Sequence, residues 1–150
     1  MNYDLEKVLP HNHPIILIDE ILDYNLEERT ASTLVKIYED KMFFDKTING
    51  IAPVVGIEFM AQTIGCYSYF KNNNKTPKIG FLLGTRLYKN YIDCFENGKE
   101  YRIEAKEVFS DNELVSFECF IYNGDEICAE ASINAYMPAN QINLIGMLNV

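Results

Sequence analysis

Three side chains in the sequence are candidates for proton-transfer chemistry: Glu58, His11 and His13. Glu58 is the only acid in the apolar stretch from residue 53 to residue 70, PVVGIEFMAQTIGCYSYF. A carboxylate among apolar side chains is destabilising unless it is hydrogen-bonded or used in chemistry. His11 and His13 are the only histidines, and an imidazole pKa of about 6.5 suits proton transfer near neutral pH. We therefore expect acid–base chemistry that involves Glu58.

The sequence predicts neither a metal site nor a cofactor. The two histidines are two residues apart, and no cysteine or acid lies at a helical ligand spacing from them. The cysteines form no C-x-x-C pair, and the chain is too large to need disulfides, so we expect reduced thiols in a cytoplasmic protein. The four are Cys66, Cys94, Cys119 and Cys128.

Length, composition and charge argue against several classes of protein. A chain of 150 residues that is 48% hydrophobic is typical of one globular domain, here residues 1–150. The net charge of −9, without a Lys/Arg cluster, argues against binding to nucleic acid or to an anionic membrane. No apolar run reaches about 18 residues and no signal-peptide pattern is present, so we expect no membrane span.

The stretch around Glu58 predicts a long central helix. Pro53 suits its first turn, and a helix of about five turns would end in the Asn- and Pro-containing segment 71–77. Gly65 lowers helix propensity by about 1 kcal/mol relative to alanine, so we expect it to allow close packing against a sheet. Glu58 then lies near the start of the helix; the alternative is that it faces solvent at the helix margin.

Alternating apolar residues predict two strands before this helix and four after it. The segments are 15–24, 29–38, 78–88, 100–109, 114–122 and 126–137. Ile127 begins the face of the last segment that we expect to point into the core. Residues 39–52 are interpreted as a loop with Phe43 and Phe44 tucked in, and 138–150 as a tail that caps the sheet or pairs with another subunit. This order predicts an α+β fold: a curved, mostly antiparallel six-stranded sheet wrapped around one long helix.

Three motifs resemble those of a known family. Residues 9–19, LPHNHPIILID, resemble the opening of the 3-hydroxyacyl-[acyl-carrier-protein] dehydratases of fatty acid synthesis. Residues 56–62, GIEFMAQ, resemble the central-helix motif of these enzymes, and residues 81–89, FLLGTRLYK, resemble the strand after that helix. The resemblance covers most of the chain and implies the hotdog fold.

One departure from the fatty-acid enzymes concerns their catalytic histidine. The family carries it in a Gly-His-Phe-Pro-Gly loop, fourteen residues before the acid, and that position is Phe44 here. The chain is more similar to the dehydratase-related hotdog proteins found with aryl-polyene biosynthesis. These combine a Pro-His opening with a Gly-Ile-Glu motif at the start of the helix.

The resemblance implies the elimination of water from a 3-hydroxyacyl thioester to give a 2-enoyl thioester, in fatty-acid-like or polyene biosynthesis. Glu58 then corresponds to the acid that holds the leaving hydroxyl. Gln62, one helical turn later, is expected to orient the Glu58 side chain. We expect His11 to act as the base and His13 to contact substrate. Gly56 is expected to leave its N–H free near the thioester carbonyl; tight packing of the helix is an alternative reason for the glycine.

The resemblance also implies partners. Acyl carrier protein is acidic, so Arg86 and Lys89 are candidates for its docking site, although both side chains are equally compatible with solvated charges on a strand. Hotdog domains dimerise, so we expect a homodimer or a hetero-oligomer with another hotdog subunit. Two other functions stay open: a non-catalytic partner of an active dehydratase, and a hotdog acyl-thioesterase.

Overall fold

The computed structural model describes residues 3–9, 15–72 and 81–136, with only the backbone of residues 81–83. Helix α1, Leu5–Val8, begins at Asp4, whose side chain accepts a hydrogen bond from the Glu6 N–H. The predictions for His11, His13 and the tail after residue 137 concern positions outside the described residues.

Six of the nine strands in the described residues form one antiparallel sheet. The strands are β1 Glu20–Asn25, β2 Thr30–Lys36, β3 Phe44–Asp45, β4 Gly50–Ile51, β5 Phe81–Asn90, β6 Phe95–Glu96, β7 Glu100–Asp111, β8 Leu114–Asn123 and β9 Glu126–Tyr136. The order in the large sheet is β1-β2-β7-β8-β9-β5, and every neighbouring pair is antiparallel. The remaining three strands form a small sheet in the order β3-β4-β6.

The central helix α2, Gly56–Lys71, packs on the large sheet. A 3₁₀ turn, Pro53–Val55, leads into it, so α2 begins three residues after Pro53 and ends at the first residue of the segment predicted to close it. Phe59 and Phe70 of α2 are buried, and the Phe70 ring stacks on Tyr24 with centroids 3.9 Å apart. The sheet therefore encloses a long apolar helix, as predicted.

The first strand is shorter than predicted, because its first residues bond to a side chain. Residues 16–19 lie outside any strand, and the N–H groups of Leu17 and Ile18 point to the Gln62 side chain. The segment 39–52 also differs, since it contains β3 and β4. Two-residue strands have no periodicity that a sequence pattern can reveal.

Two predicted packing faces are wrong. Ile127 is 39% exposed while Cys128 is buried, because a register shift beside Ile121 reverses the alternation of β9 at this point. The neighbour of Gly65 is a different element from the one predicted. A methyl group placed on Gly65 would lie 2.8 Å from Cδ2 of Leu9, so the glycine admits the segment after α1 rather than the sheet.

All four cysteines have free thiols. Cys66, Cys119 and Cys128 are buried, and burial raises the pKa of the Cys66 thiol. None of the helices in the described part of the chain is both long and apolar enough to cross a membrane.

One hydroxyl pair ties the central helix to the sheet. Thr33 on β2 and Thr63 on α2 are fully buried, and their hydroxyl oxygens are 2.7 Å apart. The Thr63 hydroxyl donates to the carbonyl oxygen of Phe59 at 2.9 Å, so the Thr33 hydroxyl is the donor between the pair. Within the described part of the chain, the Thr63 hydroxyl is therefore the acceptor for the Thr33 proton.

This arrangement predicts unequal effects of two isosteric substitutions. Thr63→Val leaves the Thr33 hydroxyl buried without an acceptor and should lower the free energy of unfolding by about 1–3 kcal/mol. Thr33→Val leaves the Thr63–Phe59 bond intact and should lower it by less, and the double variant should be no less stable than Thr63→Val. Urea unfolding of the three variants measures this; equal losses in both single variants would contradict it.

Candidate active site

Glu58 lines an apolar groove at the start of α2, with a volume of about 420 Å³. Its lining residues are Ile15, Met42, Phe43, Val54, Val55 and Glu58. Phe43 is 54% exposed and Val54 is 66% exposed, so the groove is open on one side. The prediction that Phe43 is tucked into the core is therefore wrong. A single carboxylate in an apolar groove fits a substrate that has a hydrocarbon part and one reactive polar group.

The Gln62 side chain orients Glu58 from one turn further along the helix. Its Nε2 donates to Oε1 of Glu58 at 3.2 Å, and Glu58 lies in the first turn of α2, where the helix dipole favours a negative charge. The side-chain contact expected from the spacing of these two residues is present.

Gln62 also fixes the segment that leads into β1. Its Oε1 accepts from the N–H of Leu17 at 2.8 Å and from that of Ile18 at 3.4 Å, and its Nε2 donates to the carbonyl oxygen of Ile15 at 2.9 Å. Gln62 is fully buried, and its amide is saturated by these bonds together with the bond to Glu58. One side chain therefore holds both Glu58 and the backbone that forms a wall of the groove.

The buried Lys41 side chain also holds the segment that leads into β1, through an ion pair with Asp19. The Lys41 ammonium donates to the Leu17 carbonyl oxygen at 2.6 Å and to Oδ2 of Asp19 at 2.7 Å. Burial lowers the pKa of Lys41, and the bond to Asp19 opposes that shift. Asp19 also accepts from the N–H of Lys36, the last residue of β2, at 2.6 Å.

Gly56 packs tightly at the start of α2. Its N–H donates to the Pro53 carbonyl oxygen, so the prediction of a free N–H near a thioester is wrong. A methyl group on Gly56 would lie 2.5 Å from the Tyr88 hydroxyl oxygen and 3.0 Å from the Phe95 ring. The alternative explanation, tight packing, accounts for this glycine.

The structure brings only some of the predicted site residues together. Glu58 and Gln62 are in contact, whereas Arg86 and Lys89 are exposed on β5. Between them on the strand, Tyr88 donates a hydrogen bond to the Pro53 carbonyl oxygen at the start of α2. Lys41 was missed from the sequence, because a lysine in an irregular loop carries no pattern that predicts its burial.

A family model identifies the family of this chain. The model of the ApeP-like family, described as ApeP dehydratase, matches residues 3–146 of the chain. The chain belongs to the ApeP-like family. This membership confirms the predicted resemblance to hotdog dehydratases on the aryl-polyene branch.

Relatives of this ApeP-like protein include two curated enzymes. The bifunctional enzyme LpxC/FabZ of Chlorobaculum tepidum is 29% identical over 137 residues, which are 87% of this chain and 28% of that enzyme. The 3-hydroxyacyl-[acyl-carrier-protein] dehydratase FabZ of Koribacter versatilis is 22% identical over 134 residues, 87% of this chain and 85% of that protein. The chain thus spans little more than a quarter of the first relative and most of the second.

A solved structure has the same fold as the ApeP-like chain. A chain of the dehydratase heterocomplex ApeI:P from Xenorhabdus doucetiae matches with a TM-score of 0.86 at 24% identity, over 100% of both chains. The predicted hotdog fold is therefore confirmed.

The contacts of Gln62 predict a pH-dependent effect of Gln62→Glu in this ApeP-like protein. The new carboxylate would face Glu58 and the Ile15 carbonyl oxygen, which raises the pKa of the carboxyl pair above that of the unfolded chain. The free energy of unfolding of the variant is then highest at low pH, and it falls as the pH rises through the pKa of the folded state. We expect a loss of about 2–4 kcal/mol at neutral pH that shrinks towards pH 5.

Gln62→Met is the control, since it removes the hydrogen bonds of the amide, including those that Oε1 accepts from Leu17 and Ile18, without adding a carboxyl group. Its loss of stability should change little between pH 7 and about pH 5 relative to the wild type. Chemical unfolding at both pH values measures the difference. If the loss of stability changed with pH to the same extent in Gln62→Glu and Gln62→Met, the predicted interaction between the two carboxyl groups would be contradicted.

The partly buried Tyr88 hydroxyl should make the stability of the protein depend on pH in the alkaline range. Burial raises the pKa of Tyr88 to about 12 from an ordinary value of 10.0. Between these values the unfolded chain loses the Tyr88 proton while the folded chain keeps it, so stability falls as the pH rises. Tyr88→Phe removes this contribution, and its thermal midpoint should fall less than that of the wild type from pH 10 to pH 12. An equal or larger fall in the variant would refute the assignment.

Proposed function

We propose that this ApeP-like protein is a 3-hydroxyacyl-[acyl-carrier-protein] dehydratase that acts in fatty-acid-like or polyene biosynthesis. The observation that carries the proposal is the Glu58 carboxylate, which lies in an apolar groove and is hydrogen-bonded by Gln62. The names of the FabZ relatives, which are 3-hydroxyacyl-[acyl-carrier-protein] dehydratases, support the same substrate class.

The proposed reaction needs two proton-transfer groups. A base takes the proton from C2, the bond from C3 to the hydroxyl oxygen breaks, and C2 and C3 form the double bond. An acid gives its proton to the leaving hydroxyl, which departs as water. Glu58 serves as the acid in this proposal, because its groove accommodates the apolar acyl chain while Gln62 fixes the carboxyl group.

His11 is the proposed base. Leu9, two residues before it, packs against Gly65 of α2, and Ile15, four residues after it, bonds to Gln62 and lines the groove. An extended chain spans at most about 3.6 Å per residue, so His11 is within about 14 Å of Ile15 along the chain. His13 lies between these anchors in the sequence and is proposed to contact substrate.

Acyl carrier protein is the proposed carrier of the substrate. Arg86 and Lys89 are exposed on β5, the strand whose Tyr88 bonds to the start of α2. Two cations near that end of the helix offer an acidic carrier a local basic patch on an otherwise acidic chain. We propose these two residues as its docking site.

A second candidate function is that of a partner subunit for an active dehydratase. The observation that favours it is Phe44, which stands at the position where the resembled fatty-acid enzymes carry the loop histidine. The Xenorhabdus protein of the same fold belongs to a dehydratase heterocomplex, which supports assembly of this chain with a different hotdog subunit. In this function the groove would be completed by the second subunit.

Turnover of a 3-hydroxyacyl carrier substrate tests the proposal. We expect the wild type to form the 2-enoyl thioester, and Glu58→Gln and His11→Ala to lower the rate by about 10²–10⁴-fold. His13→Ala should affect KM more than kcat. Glu27→Gln, which changes an exposed acid on the loop before β2, is the matched control and should leave the rate unchanged.

Three outcomes separate the candidate functions. Wild-type activity in both Glu58→Gln and His11→Ala would refute the assignment of Glu58 as the acid and His11 as the base. Turnover only after a second hotdog subunit is added would favour the partner function. Release of a free thiol without formation of an enoyl product would indicate thioester hydrolysis instead of dehydration.

A further inference from the structure

Lys41 is a buried charge that the proposed reaction does not use. Its side chain is 3% exposed, although lysine is rarely buried without a purpose that offsets desolvation. It lies one residue before Met42 and two before Phe43, both of which line the groove. This buried charge therefore lies beside the residues that form a wall of the groove.

The backbone after Lys41 is strained. Phe43 has a φ of 71°, a left-handed conformation that is unfavourable for a bulky side chain. The N–H of Phe44 donates to the Lys41 carbonyl oxygen at 3.1 Å, which closes the turn, and Phe44 then pairs with Ile51. A strained residue persists only where its surroundings hold it, and Lys41 anchors one side of this turn.

Lys41 also connects to Glu58 through a continuous set of hydrogen bonds. The ammonium donates to the carbonyl oxygen of Leu17, and the N–H of Leu17 donates to Oε1 of Gln62. The amide nitrogen of Gln62 then donates to Glu58. Asp19 completes the set at the other end by accepting from Lys41.

We propose that Lys41 is a positioning residue of the dehydratase site: it clamps the Phe43 turn to the Leu17 segment and, through Gln62, fixes the Glu58 carboxylate. The inference rests on the proposed function for its catalytic consequence, but the shape of the groove depends on Lys41 whatever reaction occurs there. Misplacement of a reacting group by about 1 Å lowers rates by about 10²-fold, so loss of the clamp should affect chemistry as well as binding.

Lys41→Met tests the proposal, because methionine has similar length and no charge. We expect kcat to fall by about 10–100-fold. The Kd for a saturated acyl-pantetheine thioester, which binds without reacting, should rise several-fold in calorimetry. Lys106→Met, on an exposed residue of β7, is the matched control and should change neither value.

The double variant Asp19→Asn, Lys41→Met separates positioning from stability, since it also removes the carboxylate that Lys41→Met leaves without its ion-pair partner. We expect its thermal midpoint to recover relative to Lys41→Met while kcat and the Kd for the thioester stay impaired. Recovery of activity and binding together with stability would overturn the proposal, as would wild-type kcat and Kd in Lys41→Met.

The binding arm keeps this inference separate from the proposed function. If the wild type binds the saturated thioester but forms no enoyl product, the dehydratase assignment fails, and the Kd of the two Lys41 variants still decides the role of the clamp. If the wild type does not bind the thioester, either alone or with a second hotdog subunit, the groove is not an acyl site and both proposals are overturned.

Discussion

The site depends on the need of one buried amide for hydrogen-bond partners. Gln62 has no exposure to solvent, so its oxygen and both of its N–H groups must be satisfied inside the protein. Leu17 and Ile15 supply backbone partners, and Glu58 supplies the remaining acceptor. The Gln62 amide bonds both to the segment before β1 and to Glu58, so that segment cannot shift without disturbing the carboxylate. The geometry of the groove therefore depends on the hydrogen bonds of Gln62.

The Lys41–Asp19 pair adds a second constraint of a different kind. An ammonium with 3% exposure is stable only where oxygen atoms surround it, and those atoms belong to Leu17 and Asp19. Lys41 bonds to the carbonyl oxygen of Leu17 and Gln62 bonds to its N–H, so the peptide groups on both sides of Leu17 are held and the residue has little freedom. This rigidity allows the adjoining Phe43 to keep an unfavourable backbone conformation.

The sequence predicts the helix and the six long strands because their periodicity follows directly from which faces are buried. Ile127 shows the limit of this reasoning, since a register shift reverses the alternation and leaves no mark in the residue pattern. Glu58 and Gln62 were predictable from their spacing on one helix, which fixes their proximity. Lys41 was not, because its partners are 22 and 24 residues away and are brought to it by tertiary packing.

The openness of the groove bears on the choice between the two candidate functions. Removal of a C2 proton is favoured in a site that excludes water, yet Val54 and Phe43 keep more than half of their surface exposed. Whatever covers them must be apolar, and a bound acyl chain occupies the groove only during turnover. A permanent apolar cover would stabilise the open wall between turnovers as well, and the described residues of this chain leave Val54 and Phe43 exposed. Exposed aromatic and aliphatic side chains beside a hydrogen-bonded carboxylate therefore agree with the proposed assembly with a second hotdog subunit, in either candidate function.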